Sequence, residues 1–381
     1  MNPEITRTIN DTPQSQYLYM AIELSNNKWK LGFTVGFGQA PRLRDVAARD
    51  LITLTKEITM AKGRFGLSAN APVRSCYEAG RDGFWLHRFL QAQGVTNLVV
   101  DSSSIEVNRR KRRAKTDRLD VGKLVTMLLR YYQGEGRVWS VVHPPSPDNE
   151  DQRQLHRELM ALKAERTHFI NQIKGLLACQ GVAFPFRKDF LSRLDRVRLW
   201  DGSPLPAALQ ARLKRDHARY ELVQRQIHQL EGERAEVIRT STAPAVDQVR
   251  QLLRLKGIGV ESAWLYVMEF FAWRGFRNPR EIGSLAGLTP TPFESGKSSR
   301  EQGISKAGNH CIRAMAIEIA WEWLRYQPES KLSLWYQERF AKGNSRARRI
   351  GIVALARRLL VTLWKYLDRG TLPEGACLKS T

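Results

Sequence analysis

The chain has 381 residues, 42% of them apolar, which is enough for two or three domains with cores of their own. Its 61 lysines and arginines against 38 aspartates and glutamates leave a formal charge of +23, which points to a polyanionic partner, nucleic acid first. No apolar run approaches the ~18 residues of a spanning helix, the N-terminal stretch is polar, and Cys76, Cys179, Cys311 and Cys377 never form a C-x-x-C pair; a membrane protein, a disulfide scaffold and a zinc finger are thereby excluded, and a soluble cytoplasmic protein is expected.

Residues 1–16 read as an unstructured lead. Tyr17–Glu23 (YLYMAIE), a turn at Ser25-Asn26-Asn27, and Trp29–Val35 (WKLGFTV) then predict a β-hairpin. Glu23 closes an apolar strand, where a lone buried carboxylate costs several kcal/mol, so it is paired, solvated at a cleft or bound to metal; a strand end facing water also accounts for it. A mixed helical segment is expected near Asp45–Ala61. Strand Val73–Tyr77 (VRSCY) follows and leads into Glu78, then come a helix over about Phe84–Gln93 and strand Asn97–Asp101 (NLVVD). Strand, helix, strand in that order predicts a parallel pair.

The run Arg109–Leu124, RRKRRAKTDRLDVGKL, comes next. Arg109, Arg110, Lys111, Arg112, Arg113 and Lys115 suit contact with a phosphate backbone. A helix opening at Thr116 puts Asp117 and Asp120 on one face a turn apart, within reach of a shared divalent cation. A solvated basic loop entering an acidic first helical turn has the same composition. Glu23, Glu78, Asp117 and Asp120 thus fall at strand ends and on one helix face. Carboxylates so placed can meet in one cleft and hold Mg²⁺ for displacement at phosphorus.

The order of these acids and their settings, IELSNNKWKL around Glu23, CYEAG around Glu78 and RAKTDRLDVGKL around Asp117 and Asp120, resemble the RuvC-like, ribonuclease-H-type domain of the DEDD insertion-sequence transposases. These are the one-ten and eleven-eleven groups, described as bridge-RNA-guided recombinases. The first acid of that family is Asp; here it is Glu23, one methylene longer.

Pro144-Pro145-Ser146-Pro147 marks a boundary. Beyond it Leu155, Leu159, Leu162, Phe169, Ile173 and Leu176 form one heptad seam, and Leu209, Leu213, Tyr220, Val223, Ile227 and Leu230 another. Two long helices are expected, joined by a linker over Gly181–Pro206, packed as an antiparallel hairpin or paired between subunits. Arg166 and Asp216 interrupt the seams, as residues that select register or partner number do; exposed helix ends explain them as well. The family resemblance implies a coiled-coil spacer that helps dimerise.

From Pro244 onward, Val246–Leu255, Lys256-Gly257-Ile258-Gly259 and Glu261–Phe270 read as helix, glycine turn, helix. Lys256, Gly257 and Gly259 can offer backbone N–H groups to a phosphate, or simply make an αα turn. Leu285–Pro290 leads into a polar loop over Phe293–Gly303, then Ile304–Asn309 and a helix to about Tyr326. By composition alone Ser295 is a turn residue. GLTPTPFESG followed by ISKAGN resembles the family's transposase-domain signature, which implies that Ser295 is the nucleophile. Lys297, Arg300 and Lys306 would bring positive charge to the attacked phosphate. The last helix, about Ser345–Leu367, carries Ile350, Val353, Leu360, Trp364 and Leu367 on its apolar side and Arg346, Arg348, Arg349, Arg357 and Arg358 besides. Nucleic-acid contact plus packing is expected of it, although a membrane-surface helix has a similar composition.

The expected fold is α/β plus α: a RuvC-like domain over 17–143, a helical coiled-coil spacer over 150–243, and a mainly α-helical transposase domain over 244–370. The resemblance implies an insertion-sequence DNA transposase acting as a serine recombinase, with Mg²⁺ on the four carboxylates and Ser295 joined to DNA during strand exchange. It further implies a site shared between subunits of a homodimer or homotetramer, donor and target DNA chosen by a noncoding guide RNA, and a place in the bacterial cytoplasm at the nucleoid. Two other classes fit the residues: a metal-dependent junction nuclease, for which Ser295 is dispensable, and a non-catalytic nucleic-acid-binding remnant of a transposase.

Overall fold

The computed structural model describes residues 17–81, 83–105, 117–187, 189–295 and 298–379, with 103, 117–119 and 293–302 described by backbone alone. The chain divides into two compact units, Met1–Pro144 and Pro145–Thr381.

The first unit runs β1 (Leu18–Glu23), β2 (Lys28–Thr34), β3 (Arg42–Ala47), α1 (Leu51–Arg64), β4 (Val73–Glu78), α2 (Trp85–Ala92), β5 (Val95–Val100), α3 (Asp117–Tyr132) and β6 (Val141–Val142). The sheet order is β3-β2-β1-β4-β5-β6. β1, β4 and β5 are parallel neighbours, and β2, β3 and β6 pair antiparallel. The helical segment expected from Asp45 is corrected, since Asp45 lies in the edge strand β3 and α1 starts only after Asp50, whose side chain accepts from the Thr53 N–H.

Strand alternation sorts this sheet into two faces. Leu18, Met20 and Ile22 of β1, Trp29, Leu31 and Phe33 of β2, and Val73 and Tyr77 of β4 form one buried cluster with Leu54 and Ile58 of α1 and Leu86 and Leu90 of α2. Tyr19, Ala21, Cys76 and Val100, the alternate residues, cluster with Val121, Leu124, Val125 and Leu128 of α3. The helix lies so close that a Cβ on Gly32 would collide with the Val121 side chain. That close approach is why β2 carries glycine there.

The second unit begins with α4 (Pro147–Asp151), α5 (Gln154–Ala178), α6 (Phe190–Leu194) and α7 (Ala207–Thr240). Ser146 caps α4, with Pro147 at the first helical position. Leu159 and Leu162 of α5 pack with Val223 and Ile227 of α7, whereas Ile173 and Leu177 pack with Leu213. Early α5 therefore meets late α7, an antiparallel hairpin within one chain. The linker between them contains α6, whose Phe190 and Leu194 are fully buried in the same cluster. Asp216 in the seam is 1% exposed and accepts from Arg219 at 2.8 Å.

The remainder is α8 (Pro244–Leu253), α9 (Val260–Tyr266), continued by a wide π turn over Val267–Phe271, α10 (Pro279–Leu285), β7 (Pro290–Ser295), β8 (Ser298–Ile304), α11 (His310–Tyr326), α12 (Lys331–Tyr336), a second π turn over Gln337–Ala341, and α13 (Ser345–Arg369). Helices α8, α9, α11 and α13 enclose a core that holds Trp264, Phe270, Ile312, Trp323, Leu355 and Leu359. The buried Trp323 indole donates to Ser330 Oγ at 2.8 Å. Charge joins the hairpin to this core. Arg157 of α5 binds Glu269 through two hydrogen bonds of 2.6 and 3.0 Å, and both Lys163 of α5 and Arg234 of α7 reach Glu261 at 2.6 Å. Burial opposes the charge on Glu261, but the hydrogen bonds from Arg234 and Lys163 outweigh it and hold the carboxyl down at about 2.

Candidate functional site

Two of the expected acids are brought into register by the sheet. Ile22 pairs with Tyr77 across the parallel strands β1 and β4, so Glu23 and Glu78, the next residue on each, end neighbouring strands at the same edge. By alternation both lie on the face covered by α3, and both are half-buried.

The course of α3 places the third. Val121 and Leu124 sit at the level of Gly32, Ala21 and Cys76, with Cys76 Sγ 3.9 Å from the Leu124 carbonyl. Tyr132 lies farther down the strands, its ring centroid 6.1 Å from Tyr19 and 4.1 Å from the Arg74 guanidinium. The helix therefore runs opposite to β1 and β4. Its first turn, with the half-buried Asp120, lies at the edge that carries Glu23 and Glu78. Asp117 opens the helix and is described only by its backbone. Among the described residues, no three His, Cys, Asp or Glu side chains group closely enough to hold a metal ion. Arg109, Arg110, Lys111, Arg112, Arg113 and Lys115 lie outside the described residues, as do the lead before Tyr17 and Lys297.

In the second unit the polar loop expected over Phe293–Gly303 is corrected: it is an antiparallel hairpin, β7 against β8, in which Phe293 pairs with Arg300 and Ser295 with Ser298. Ser295 is the last residue of β7, immediately before the two-residue connection Gly296-Lys297. The side chains of Ser295 and Arg300 lie outside the described residues. Lys306 is exposed and adopts a left-handed backbone, φ 56°.

The segments at the two ends of the hairpin are locked to each other. Gly287 (φ 67°) and Gly308 (φ 75°) are both left-handed, and a Cβ on either would strike backbone: the Ala307 carbonyl from Gly287, the Leu285 carbonyl from Gly308. That contact leaves room for three backbone bonds, Ser305 N–H to Thr289 O at 2.8 Å, Lys306 N–H to Gly287 O at 3.1 Å and Asn309 N–H to Leu285 O at 2.9 Å. Asn309 then caps α11 by accepting from the N–H groups of Cys311 and Ile312. Arg313 donates to the Ala286 and Ala307 carbonyls at 3.3 and 3.2 Å. Sequence reading passed over Arg313 as one more cation; only the fold gives it this bridging place.

The glycine turn is less available for a ligand than its composition suggests. The Lys256 N–H is taken by Cys377 O, that of Ile258 by Leu255 O, and that of Gly259 by Ser262 Oγ. Gly257 is left-handed at φ 84°. These bonds support the simple αα turn of the two readings.

Residues 249–334, which include the whole hairpin and its lock, match the model of a family described as Transposase IS116/IS110/IS902. A Sinorhizobium fredii protein designated transposase y4rJ is 41% identical over 381 aligned residues, covering 95% of this chain and 95% of that protein. The chain belongs to the IS116/IS110/IS902 transposase family. More distant members are the transposase of insertion sequence element IS1328 from Yersinia enterocolitica, 29% identical over 60% of this chain and 67% of its own length, and that of IS1111A from Coxiella burnetii, 27% identical over 58% and 60%. The family match and the glycine lock fall on the same residues, so the family's motif in this chain includes a packing device around the hairpin base. No helix among the described residues is long and apolar enough to cross a membrane.

Proposed function

We propose that this transposase cuts and rejoins DNA with Ser295 as nucleophile and with an acidic pocket of Glu23, Glu78, Asp117 and Asp120. The observation that carries the reading is the register of Glu23 and Glu78 on neighbouring parallel strands, under the end of α3 that begins with Asp117 and Asp120. That placement supports a RuvC-like first unit. Clustered carboxylates repel one another, so a cation or raised pKa values must relieve them. The donors are all oxygens, which fits Mg²⁺, and the ion when bound would neutralise charge that develops on the oxygens around phosphorus.

Ser295 Oγ forms the new bond to phosphorus while the strand's own ester oxygen leaves, and the hydroxyl proton passes in net terms to that leaving oxygen. One phosphodiester replaces another, so the joint can be reversed onto a different strand. An unassisted serine hydroxyl is a weak nucleophile; Lys297, Arg300 and Lys306 hold the charge of the attacked phosphate. The run Arg109 to Lys115 holds nucleic-acid backbone without reading bases. A noncoding guide RNA selects donor and target DNA, and the chain works as a homodimer or homotetramer.

The test is a denaturing gel of the full chain incubated with labelled DNA and co-purified RNA. Wild type should give a shifted covalent species, and Ser295→Ala and Asp117→Ala should each abolish it while keeping DNA binding. A wild-type level of adduct from Ser295→Ala would rule the serine out and leave a metal-only nuclease.

A further inference from the structure

A large groove runs between α13 and the base of the β7–β8 hairpin. Its volume is about 1470 Å³, beyond the ~300–1,000 Å³ of ordinary small-molecule sites, so it suits a length of polymer. We propose that it binds an unpaired nucleic-acid strand, with phosphates on its arginines and bases on its apolar floor. The proposal deepens, and rests on, the reading of this chain as a nucleic-acid enzyme.

Charge selects a polyanion. Arg280, Arg346, Arg349, Arg357 and Arg358 line the groove, and no Asp or Glu does so among the described residues. On α13 the steps from 346 to 349, 353 and 357 are three and four, so these positions share one helix face. Arg346 to Arg358 spans about 18 Å at ~1.5 Å per residue. Arg348, which sequence alone does not separate from the others, is absent from this lining.

The floor selects an unpaired strand over a duplex. Ile350 sits amid the arginines with 47% of its surface exposed, beside Val353, Val361 and Leu288. A duplex would present phosphates and sugars there and gain nothing from apolar surface, whereas unpaired bases have flat apolar faces to bury. Arg358 lies 4.1 Å above the Trp335 ring, which holds its guanidinium flat as a platform on which a base can stack. The groove also leads toward the proposed nucleophile. Pro290, Thr291 and Pro292 line it, and Ser295 follows three residues along the same strand, about 10 Å on. A second copy of this chain is a poorer occupant, since 61 basic against 38 acidic residues give it no surplus of negative charge to offer.

The test uses the full chain carrying Ser295→Ala in EDTA, so that binding is read without cleavage. The probes are fluorescein-labelled oligo(dT) and oligo(U) of ~20 nucleotides, and a DNA duplex of the same length. Replacing Arg346, Arg349 and Arg358 together with Ala should weaken the single strands about tenfold or more. It should also lower their log–log salt slope by about 2, at ~0.7 per lost phosphate contact, and change duplex affinity less than about threefold. Ile350→Asp alone should weaken the single strands, and a 5-bromouracil strand should crosslink to α13 or Trp335. The ratio of oligo(dT) to oligo(U) affinity assigns the groove to DNA or to RNA. Unchanged single-strand affinity, an equal loss for the duplex, or crosslinks confined to other elements would overturn the proposal. So would a triple variant that alters sedimentation of the nucleic-acid-free protein but not strand binding, which assigns the groove to a second copy. Because no adduct is measured, the outcome is independent of whether Ser295 reacts.

Discussion

The sharpest structural prediction concerns Gly308. With φ at 75°, any side chain there sits in the left-handed region, at a cost of about 1 kcal/mol for alanine. Its Cβ would also strike the Leu285 carbonyl, which must move; overpacking of this kind costs about 1–3 kcal/mol. Moving that carbonyl lengthens the 2.9 Å bond it accepts from Asn309, a further loss of about 1 kcal/mol. Against these stands about 0.5–1 kcal/mol gained from the stiffer unfolded chain. The net for Gly308→Ala is about 3 kcal/mol. Native-state hydrogen exchange at the amides of Ser305, Lys306 and Asn309 reads it locally, as an acceleration of about a hundredfold. The control is Gly181→Ala, where φ is 71° but nothing lies within 4 Å of the added Cβ; strain and unfolded-state gain should nearly cancel there, within about 0.5 kcal/mol. If Gly308→Ala leaves exchange at these amides within about threefold of wild type, or Gly181→Ala destabilises as much, the lock is not what constrains the hairpin base.

Gly32→Val should destabilise the first unit by about 1–3 kcal/mol through its collision with Val121, and adding Val121→Ala should recover part of the loss in urea unfolding; no recovery would mean that the contact is not the cause. Glu269→Ala should cost about 3 kcal/mol, because it strands Arg153, 5% exposed, and strips Arg157 of two hydrogen bonds; a urea midpoint equal to wild type would contradict this. Stability should fall with acid in two stages. Burial lowers the His156 pKa, so the unfolded chain takes the proton first and stability declines as pH drops below the ordinary histidine value, about 6.5. The Glu261 carboxyl, at about 2 instead of 4.5, contributes stability that is complete above 4.5 and lost between 4.5 and about 2. Glu261→Gln should flatten only that lower stage of the urea-midpoint profile, and a change confined to pH above 6 would refute the assignment.

Periods and end signals are local, and the sequence alone settled the features that depend on them. Alternation over Leu18–Glu23 and Lys28–Thr34 made a hairpin with one face for α1 and α2 and the other for α3. Heptads from Leu155 and from Leu209 made two long helices, and Gly308-Asn309 announced the start of α11. A period says which face is apolar but not what covers it. Only the tertiary structure decided that α5 packs on α7 of its own chain and that Phe190 and Leu194 fill their junction. β3 is an edge strand and β7–β8 a two-stranded ribbon, and neither carries a clean apolar alternation. Each is defined by backbone pairing with a partner, which leaves little mark on its residues. The candidate site divides in the same way. The acids could be named from strand ends and a helix start, but the register of Glu23 with Glu78 comes from β1 lying beside β4. The arginines of α13 were visible as charge, and became a groove only when the hairpin closed over one face of the helix.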